Sequence, residues 1–486
     1  MQSQTRVFTR LVGEFTGPPP VVLGENATVA DLVARMAEAG QSCALVVDAA
    51  NRPIGIVTEG DVVRRVALRC AGTAPVSGVM SSPVRTVSTG DFLYRAIAAM
   101  RRSGWRHMPV VDPGGRLVGI IERHQALAMV AEQTIGLIER IAHEATEDGM
   151  REIKAAQVEV AAALLRDRVP APEIQQLLTG INRDIHRCVV DLCIAGMAGD
   201  GLGEPPVAFA MIVMGSGGRG ESYLYPDQDN GFILDDYADE DHTSIDGWFI
   251  ALAERVTSML DRIGFPLCRG GVMVINPVWR KTRSQWRQQL VGWGCRRGTI
   301  AIQLSDILFD FAPAAGHAEF VRELRRTVTA MLKSSPAFLL EMAREAARYG
   351  VALGWFDRFV TERDPPDHRG EINLKFAGAT PLVTNVRLLA LKHGVAETST
   401  LERIRVLHAR GALNNDEEDY LCGAFDHIAS LLLRQQIADF QAGHAVDSYV
   451  HPGSLSDRER DMLVDSLKAV EAFRQRVRLE FTGEVF

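Results

Sequence analysis

Two aspartates one residue apart, Asp227 and Asp229, follow the pair Gly215-Ser216 by about a dozen residues. An apolar run from Val207 to Met214 leads into the Gly-Ser pair, and a second, Phe232-Ile233-Leu234, follows the aspartates. On a β-strand, residues two apart point to one face about 7 Å apart. Asp227 and Asp229 are therefore expected to present two carboxylates side by side. Paired carboxylates suit Mg²⁺, which takes oxygen ligands and binds through one or two carboxylates plus substrate phosphates. A loop of small residues exposes backbone N–H groups that can hold a triphosphate. A phosphate cradle beside a metal-binding carboxylate pair is what nucleotidyl transfer requires.

Other readings of the stretch compete. Gly215, Gly217 and Gly220 spell G-x-G-x-x-G, the dinucleotide-binding fingerprint, which needs a full helix after the glycines. Pro226 falls six residues after Gly220 and leaves little room for one. An EF-hand loop needs glycine at its sixth position, which here is Phe232. A lone Asp-x-Asp would be a surface turn near a strand end. The Gly-Ser pair, Arg219, Glu221 and the two apolar runs argue against that reading.

Gly215-Ser216, Arg219, Glu221 and Asp227-Gln228-Asp229-Asn230 together resemble the signature of DNA polymerase β-like nucleotidyltransferases. In this longer form they are similar to the bacterial nucleotidyltransferases that sit behind CBS-domain pairs and are related to the PII-protein uridylyltransferase. The resemblance covers nearly the whole chain. It implies that Asp227 and Asp229 hold Mg²⁺ and that Gly215 and Ser216 cradle the β/γ-phosphates. Arg219 would neutralise charge or pair with Glu221, and Asn230 would belong to the nucleotide site. The superfamily usually has a third carboxylate on a later strand. Asp310, between Phe309 and Phe311, is the expected counterpart, with Asp306 as the alternative. Relatives often carry Arg where this chain has Ala312. The segment 270–280, GGVMVINPVWR, also matches the family, with Asn276 and Trp279 shaping the pocket or packing. The segment 372–395 resembles the family's C-terminal substrate-binding signature, with Lys375 and Arg387 as basic positions. Lys375 is expected to reach nucleotide or substrate. Asn373 stands where relatives more often have Asp. Thr400, Glu402 and Arg403 read as a cap and surface charges.

The elements that must position these residues come in a definite order. The first 130 residues hold a repeat. An offset of 64 maps Met36 onto Met100, Gly40 onto Gly104, Asp48 onto Asp112 and Gly55 onto Gly119. Each copy (about 7–67 and 75–130) reads as a helix, a short buried strand, an Asn/Gly or Gly/Gly turn, a second strand and a second helix. This resembles a tandem pair of CBS domains, which pack together and commonly bind adenine nucleotides between them. Thr58 and Asp61 match the family's Thr/Ser-x-x-Asp, where Thr contacts phosphate and Asp accepts from ribose hydroxyls. The same two residues could be only a helix cap. In the second copy Glu122 and Gln125 stand at those positions, so one nucleotide site is expected rather than two.

Residues 131–206 read as a helical connector, either a mechanical link from sensor to catalyst or simply packing, with apolar spacing at Ile135, Ile138, Ile141 and at Ile174, Leu177, Leu178, Ile181, Ile185. The catalytic domain is expected over 207–313 and an all-helical substrate-binding domain over 314–486. The fold class is thus multidomain α/β: a tandem CBS pair, a helical connector, an α+β polymerase β-like nucleotidyltransferase domain with a mixed sheet, and a helical C-terminal domain.

Composition bounds the function. Net charge is −8 over 486 residues with no large basic block, against a broad nucleic-acid surface. The basic run of Arg280, Lys281, Arg283, Arg287, Arg296 and Arg297 reads as a solvated helix face. No apolar stretch approaches 18 residues, so no membrane span is expected. MQSQTRVFTR lacks the apolar core of a signal peptide. Seven scattered cysteines without C-x-x-C fit reduced thiols in a cytoplasm and argue against zinc.

The expected protein is a cytoplasmic sensor-enzyme. Adenine nucleotide at the CBS pair biases Mg²⁺-dependent transfer of a nucleoside monophosphate from an NTP to a hydroxyl on a protein or a small molecule. A homodimer joined through the CBS pair is expected, with Leu93, Ile97 and Met100 serving core or interface. The competing reading is a non-catalytic nucleotide-responsive regulator, favoured by Ala312 and the undecided third acid and opposed by the intact Asp227/Asp229 pair.

Overall fold

The computed structural model describes residues 11–17, 21–66, 70–91, 96, 99–100, 105–122, 146–166, 168–296, 298–364 and 366–483. They form two units, Met1–Glu139 and Arg140–Phe486.

In the first unit the repeat builds one small sheet twice. Strand β1 (Val21–Gly24) pairs in parallel with β2 (Cys43–Val47), which pairs antiparallel with β3 (Pro53–Thr58). Strands β4 (Val87–Ser88), β5 (His107–Val111) and β6 (Leu117–Glu122) repeat the order and directions. Helix α1 (Val29–Ala39) connects β1 to β2 and buries Val29, Leu32 and Met36, one apolar stripe at helical spacing. The β2–β3 and β5–β6 turns place Asn51 (φ 61°) and Gly115 (φ 80°) at equivalent positions. Both residue types tolerate that left-handed backbone. Asp48 and Asp112 close the turns by accepting from the Arg52 and Arg116 N–H groups. Cys43 and Leu45 pack on Leu117 and Ile120, joining the two copies. Met100 is buried in the second copy's own core. Leu93, Ile97, Gln125, Ile135, Ile138 and Ile141 lie outside the described residues.

The second unit centres on a mixed sheet of β7 (Phe209–Val213), β8 (Asn230–Leu234), β9 (Arg280–Thr282) and β10 (Ala312–Gly316), in the order β10-β7-β8-β9. β7 is antiparallel to both neighbours, and β8 runs parallel to β9. Every residue of β7 and β8 is buried, which explains why both read as continuous apolar runs rather than alternating ones.

Helices α2 (Glu147–Arg166) and α3 (Ala171–Gly199) lie in the stretch expected as a connector. They pack as a wall of this unit. Lys154 of α2 donates to the Leu224 carbonyl at 2.8 Å, and Thr179 of α3 accepts from the Ser222 N–H at 3.0 Å. The buried stripe Ile174, Leu178, Ile181, Ile185 is what commits α3 to packing. Helix α4 (His242–Ile263) covers the sheet, its Phe249 ring 5.5 Å from Phe209.

The chain continues through α5 (Arg283–Arg296), α6 (Thr299–Leu308), α7 (Ala318–Ser334), α8 (Pro336–Ala346), α9 (Thr380–Lys392), α10 (Thr400–Ala409), α11 (Asn415–Ala442) and α12 (Asp457–Thr482). Among the described residues beyond α7, the helices are interrupted by a two-stranded ribbon, β11 (Ile372–Asn373) with β12 (Tyr449–Val450). The basic run is occupied by ion pairs: Arg280 with Asp246, Arg283 with Asp235 and Glu323, and Arg287 with Glu323. Arg297 lies outside the described residues. All seven cysteines are free. Among the described residues no helix is long and apolar enough to cross a membrane.

Candidate active site

The Gly-Ser pair opens a short helix, Gly215–Arg219, at the end of β7. Two constraints make glycine necessary there. Gly215 has φ +57°, and a Cβ on it would stand 3.0 Å from Asp229 Oδ2. A Cβ on Gly218 would fall 1.9 Å from the Asp310 carbonyl oxygen. Gly220, at φ +80°, ends the helix after five residues. The full helix a dinucleotide fold needs is absent.

Asp227 and Asp229 precede β8 rather than lying on it, since the strand begins at Asn230. The Asp229 N–H donates to the Asp227 carbonyl at 3.0 Å, and the Asp229 carbonyl accepts from Met214 N at 2.8 Å. The pair therefore sits in a turn clamped to the end of β7. Asp227 is exposed and Asp229 half-buried. Burial, then the charge of Asp227, pushes Asp229 up to about 6, against the opposing pull of the Cys268 thiol, Lys375 and Arg219.

A cleft of about 420 Å³ opens on Asp229, lined by Gly215, Ser216, Arg219, Glu221, Lys375 and Asp306 among others. The structure thus brings together the Gly-Ser pair, one carboxylate of the pair, Arg219, Glu221 and the exposed Lys375. Glu221 accepts from Arg219 Nε at 2.6 Å and from the Thr400 N–H at 2.6 Å. It thereby caps α10, whose free N–H groups favour an anion.

Asp310 and Asn230 are placed otherwise than expected. Asp310 is fully buried behind the cleft, and its carboxylate is enclosed by three guanidinium groups: Arg219 (2.9 Å), Arg387 (2.7 Å) and Arg403 (2.7 Å). These hold its carboxyl well below the usual range in spite of burial. This carboxylate is engaged by three cations and does not line the cleft on which Asp229 opens. Asp306 does line the cleft, paired with Arg387 at 2.9 Å. Asn230 is buried, and its side-chain oxygen accepts from Val274 N at 2.9 Å. It fixes the 270–279 loop instead of facing a nucleotide. Within that loop Trp279 is buried, 6.2 Å from Trp286, and Asn276 bonds to its own turn.

Two residues escaped the sequence reading. Arg403, read as a surface charge, is 1% exposed. Its signal was a charge on the stripe of Thr400, Ile404 and Leu407, all buried. Lys154 sits likewise among buried Met150, Ile153, Val158 and Ala161. Its ammonium donates to Gln157, Asn182 and the Leu224 carbonyl at 2.8–3.2 Å and lies 4.4 Å over the Phe265 ring. Burial pulls it down to about 7. Lys154 anchors the segment that leads to Asp227.

Asp227 and Asp229 offer hard carboxylate oxygens, the donor type Mg²⁺ takes, although no group of three or more His, Cys, Asp or Glu residues gathers among the described residues.

The first unit has its own cleft of about 850 Å³, lined by Thr58, Asp61, Arg64, Trp105, Arg106 and Glu122 among others. Thr58 and Asp61 also form a capping box: Asp61 accepts from the Thr58 N–H and hydroxyl, and the Thr58 hydroxyl accepts from Asp61 N. The cap is real, and both residues face the cleft.

Comparison with known proteins matches three families along the chain. Residues 155–298 match the family described as "Putative nucleotidyltransferase DUF294", and residues 336–481 match its substrate-binding domain. The chain belongs to the DUF294 family. Residues 12–68 and 76–132 match the CBS domain, so a CBS pair precedes the DUF294 region. The DUF294 match begins inside α2, in keeping with the packing of α2 and α3. An uncharacterized 17.7 kDa protein of Acidianus ambivalens is 31% identical over 115 residues, 24% of this chain and 70% of that protein. An uncharacterized Methanopyrus kandleri protein is 30% identical over 118 residues, 24% of this chain and 60% of that protein. Among solved structures, a CBS domain protein of Pyrobaculum aerophilum complexed with AMP is 32% identical, covers 24% of this chain and 88% of that one, and superposes with a TM-score of 0.23.

Proposed function

We propose that this DUF294 chain is a Mg²⁺-dependent nucleotidyltransferase regulated by an adenine nucleotide at its CBS pair. The observation that carries the reading is the placement of Gly215 and Ser216 with Asp229 on the wall of one cleft, so close that a Cβ added to Gly215 would stand 3.0 Å from Asp229 Oδ2. Asp227 and Asp229 would hold the metal. When bound, Mg²⁺ supplies charge neutralisation for the triphosphate. Gly215 and Ser216 would face the phosphates, with Lys375 as an exposed cation on the same cleft as Asp229. Arg219 is held by Glu221 and Asp310 and so serves to fix the loop. The acceptor hydroxyl attacks the α-phosphorus in line, and pyrophosphate leaves. At the CBS pair, Thr58 and Asp61 would receive phosphate and ribose. Seven free cysteines support a reducing, cytoplasmic setting.

A second reading, a nucleotide-binding regulator without transfer, is favoured by one observation: Asp310 is sequestered, and Asp306, the other candidate third carboxylate, is paired with Arg387. Incubation of the full chain with each α-labelled NTP, Mg²⁺ and cell lysate separates the two. Pyrophosphate release with label transfer is expected. Nucleotide binding with no pyrophosphate from any NTP would leave only the regulator.

A further inference from the structure

The charge of Arg219, the cation expected beside the phosphates, is already compensated. Its guanidinium binds Glu221 at 2.6 Å and Asp310 at 2.9 Å. A triphosphate brought to the Gly-Ser loop needs positive charge from elsewhere. Lys375 lines the cleft but is exposed, where water and salt screen it.

A second arginine stands behind the loop. Arg183 of α3 donates from Nη2 to the Gly217 carbonyl at 2.6 Å and, more loosely, to the Gly218 carbonyl at 3.4 Å. The Gly218 carbonyl also accepts from the Thr398 hydroxyl at 3.0 Å, and the Ser216 carbonyl from the Glu221 N–H at 2.9 Å. Three successive carbonyls of the loop are thus occupied. In a helical turn the N–H groups point opposite to the carbonyls, and the first of them have no acceptor within the helix. Fixing the carbonyls from behind therefore fixes the direction of the loop's N–H groups, and Gly215 and Ser216 line the cleft.

The guanidinium has capacity to spare. It carries five N–H groups, and its Nε is buried without an acceptor. No carboxylate pairs with Arg183 among the described residues; its partners are the two glycine carbonyls. Burial alone shifts it, downward. A half-buried charge with only neutral acceptors is incompletely compensated, and a bound anion would complete it.

Space decides how it acts. Arg183 lines a small cavity together with Ser216, Gly217, Asp227 and Asp229. The cavity holds about 20 Å³, room for about one water and too little for a phosphate group. Arg183 therefore acts on a triphosphate through the loop, by orientation and by its field, and not by contact. In a wall of low effective dielectric, a unit charge is felt across several ångströms.

We infer that Arg183 is the positioning cation of the nucleotide site: from behind the Gly-Ser loop it fixes the Gly217 carbonyl and supplies the uncompensated charge that a triphosphate meets. This rests on the transferase reading and adds to its donor side a residue of α3, outside the Gly-Ser and Asp-x-Asp motif. The competing role is a bracket, in which only the hydrogen bond to Gly217 matters.

Two substitutions separate charge from bracket. Arg183→Gln keeps an N–H donor and loses the charge, whereas Arg183→Lys keeps both. The full chain is given Mg²⁺, dialysed cell lysate and each α-labelled NTP, and the NTP concentration for half-maximal label transfer is measured. That concentration should rise at least about tenfold in Arg183→Gln, and Arg183→Lys should stand closer to the parent. Melting curves without ligand check that both variants fold. A parent-like value in Arg183→Gln, or a value in Arg183→Lys as high as in Arg183→Gln, would overturn the inference and leave the transferase standing. A parent that transfers label from no NTP would overturn both.

Discussion

Arg387 of α9 holds Asp310, just before strand β10, at 2.7 Å. The same carboxylate binds Arg219 of the Gly-Ser loop and Arg403 of α10, so one buried anion ties the C-terminal helices to the Gly-Ser loop.

Asp310→Asn should therefore strand Arg403, while Arg219 and Arg387 each keep one carboxylate, Glu221 and Asp306. Removing one partner of a buried ion pair costs about 3–5 kcal/mol, which should lower the melting temperature of this unit by several degrees. The pH dependence has a definite sign. The folded carboxyl lies below its ordinary 3.8, so its contribution is present in full above about that pH. It is lost as pH falls through the lower folded value. Melting curves of parent and variant from neutral to acid pH should converge toward the acid end.

Lys154 predicts a slope of the same sign in a higher pH window. Burial pulls it to about 7 from 10.5, so between these values the unfolded chain binds a proton that the folded chain does not. Stability should rise with pH there. The three acceptors and the Phe265 face favour the ammonium, so the gain from pH 7 to 9 should be on the order of 1 kcal/mol. Denaturant melts of Lys154→Met should lack that rise.

Gly215→Ala should cost both backbone strain and the site. The left-handed φ disfavours alanine by about 1 kcal/mol, and the new Cβ displaces Asp229. Transfer should fall by at least about tenfold. Gly292→Ala, where nothing lies within 4 Å of the new Cβ, should be neutral or stabilising. Rates and melting points of the two variants check the contrast.

At the CBS pair, adenine nucleotide should stabilise the N-terminal unit by roughly 2.7 kcal/mol at 100 times its dissociation constant and so raise its melting temperature. Asp61→Ala should lose about 1 kcal/mol of capping without any ligand, so the informative quantity is the ligand-induced shift in each protein. That shift should vanish in the variant. An equal shift in both would leave Asp61 as a cap alone.

Much of this was legible because it is local. Strand β8, the Asn51 and Gly115 turns and the Gly-Ser loop each announce themselves within a few residues. The pairing of Arg219 with Glu221 is two residues long. What the sequence concealed depends on distant packing. Nothing near Asp310 says that Arg387 and Arg403 will reach it from helices some 77 and 93 residues later. Asn230 reads like the pair beside it, yet its side chain points to Val274. Helices α2 and α3 read as a connector because an amphipathic stripe tells that a helix packs and not on what.

The central claim is that Asp227 and Asp229 make this a working nucleotidyltransferase. The most direct measurement is pyrophosphate release and label transfer by purified Asp229→Asn beside the parent, with Mg²⁺ and each NTP. The account predicts turnover by the parent and a loss of at least about 10² in the variant, with a melting temperature close to the parent's. A variant that turns over NTP like the parent would contradict it.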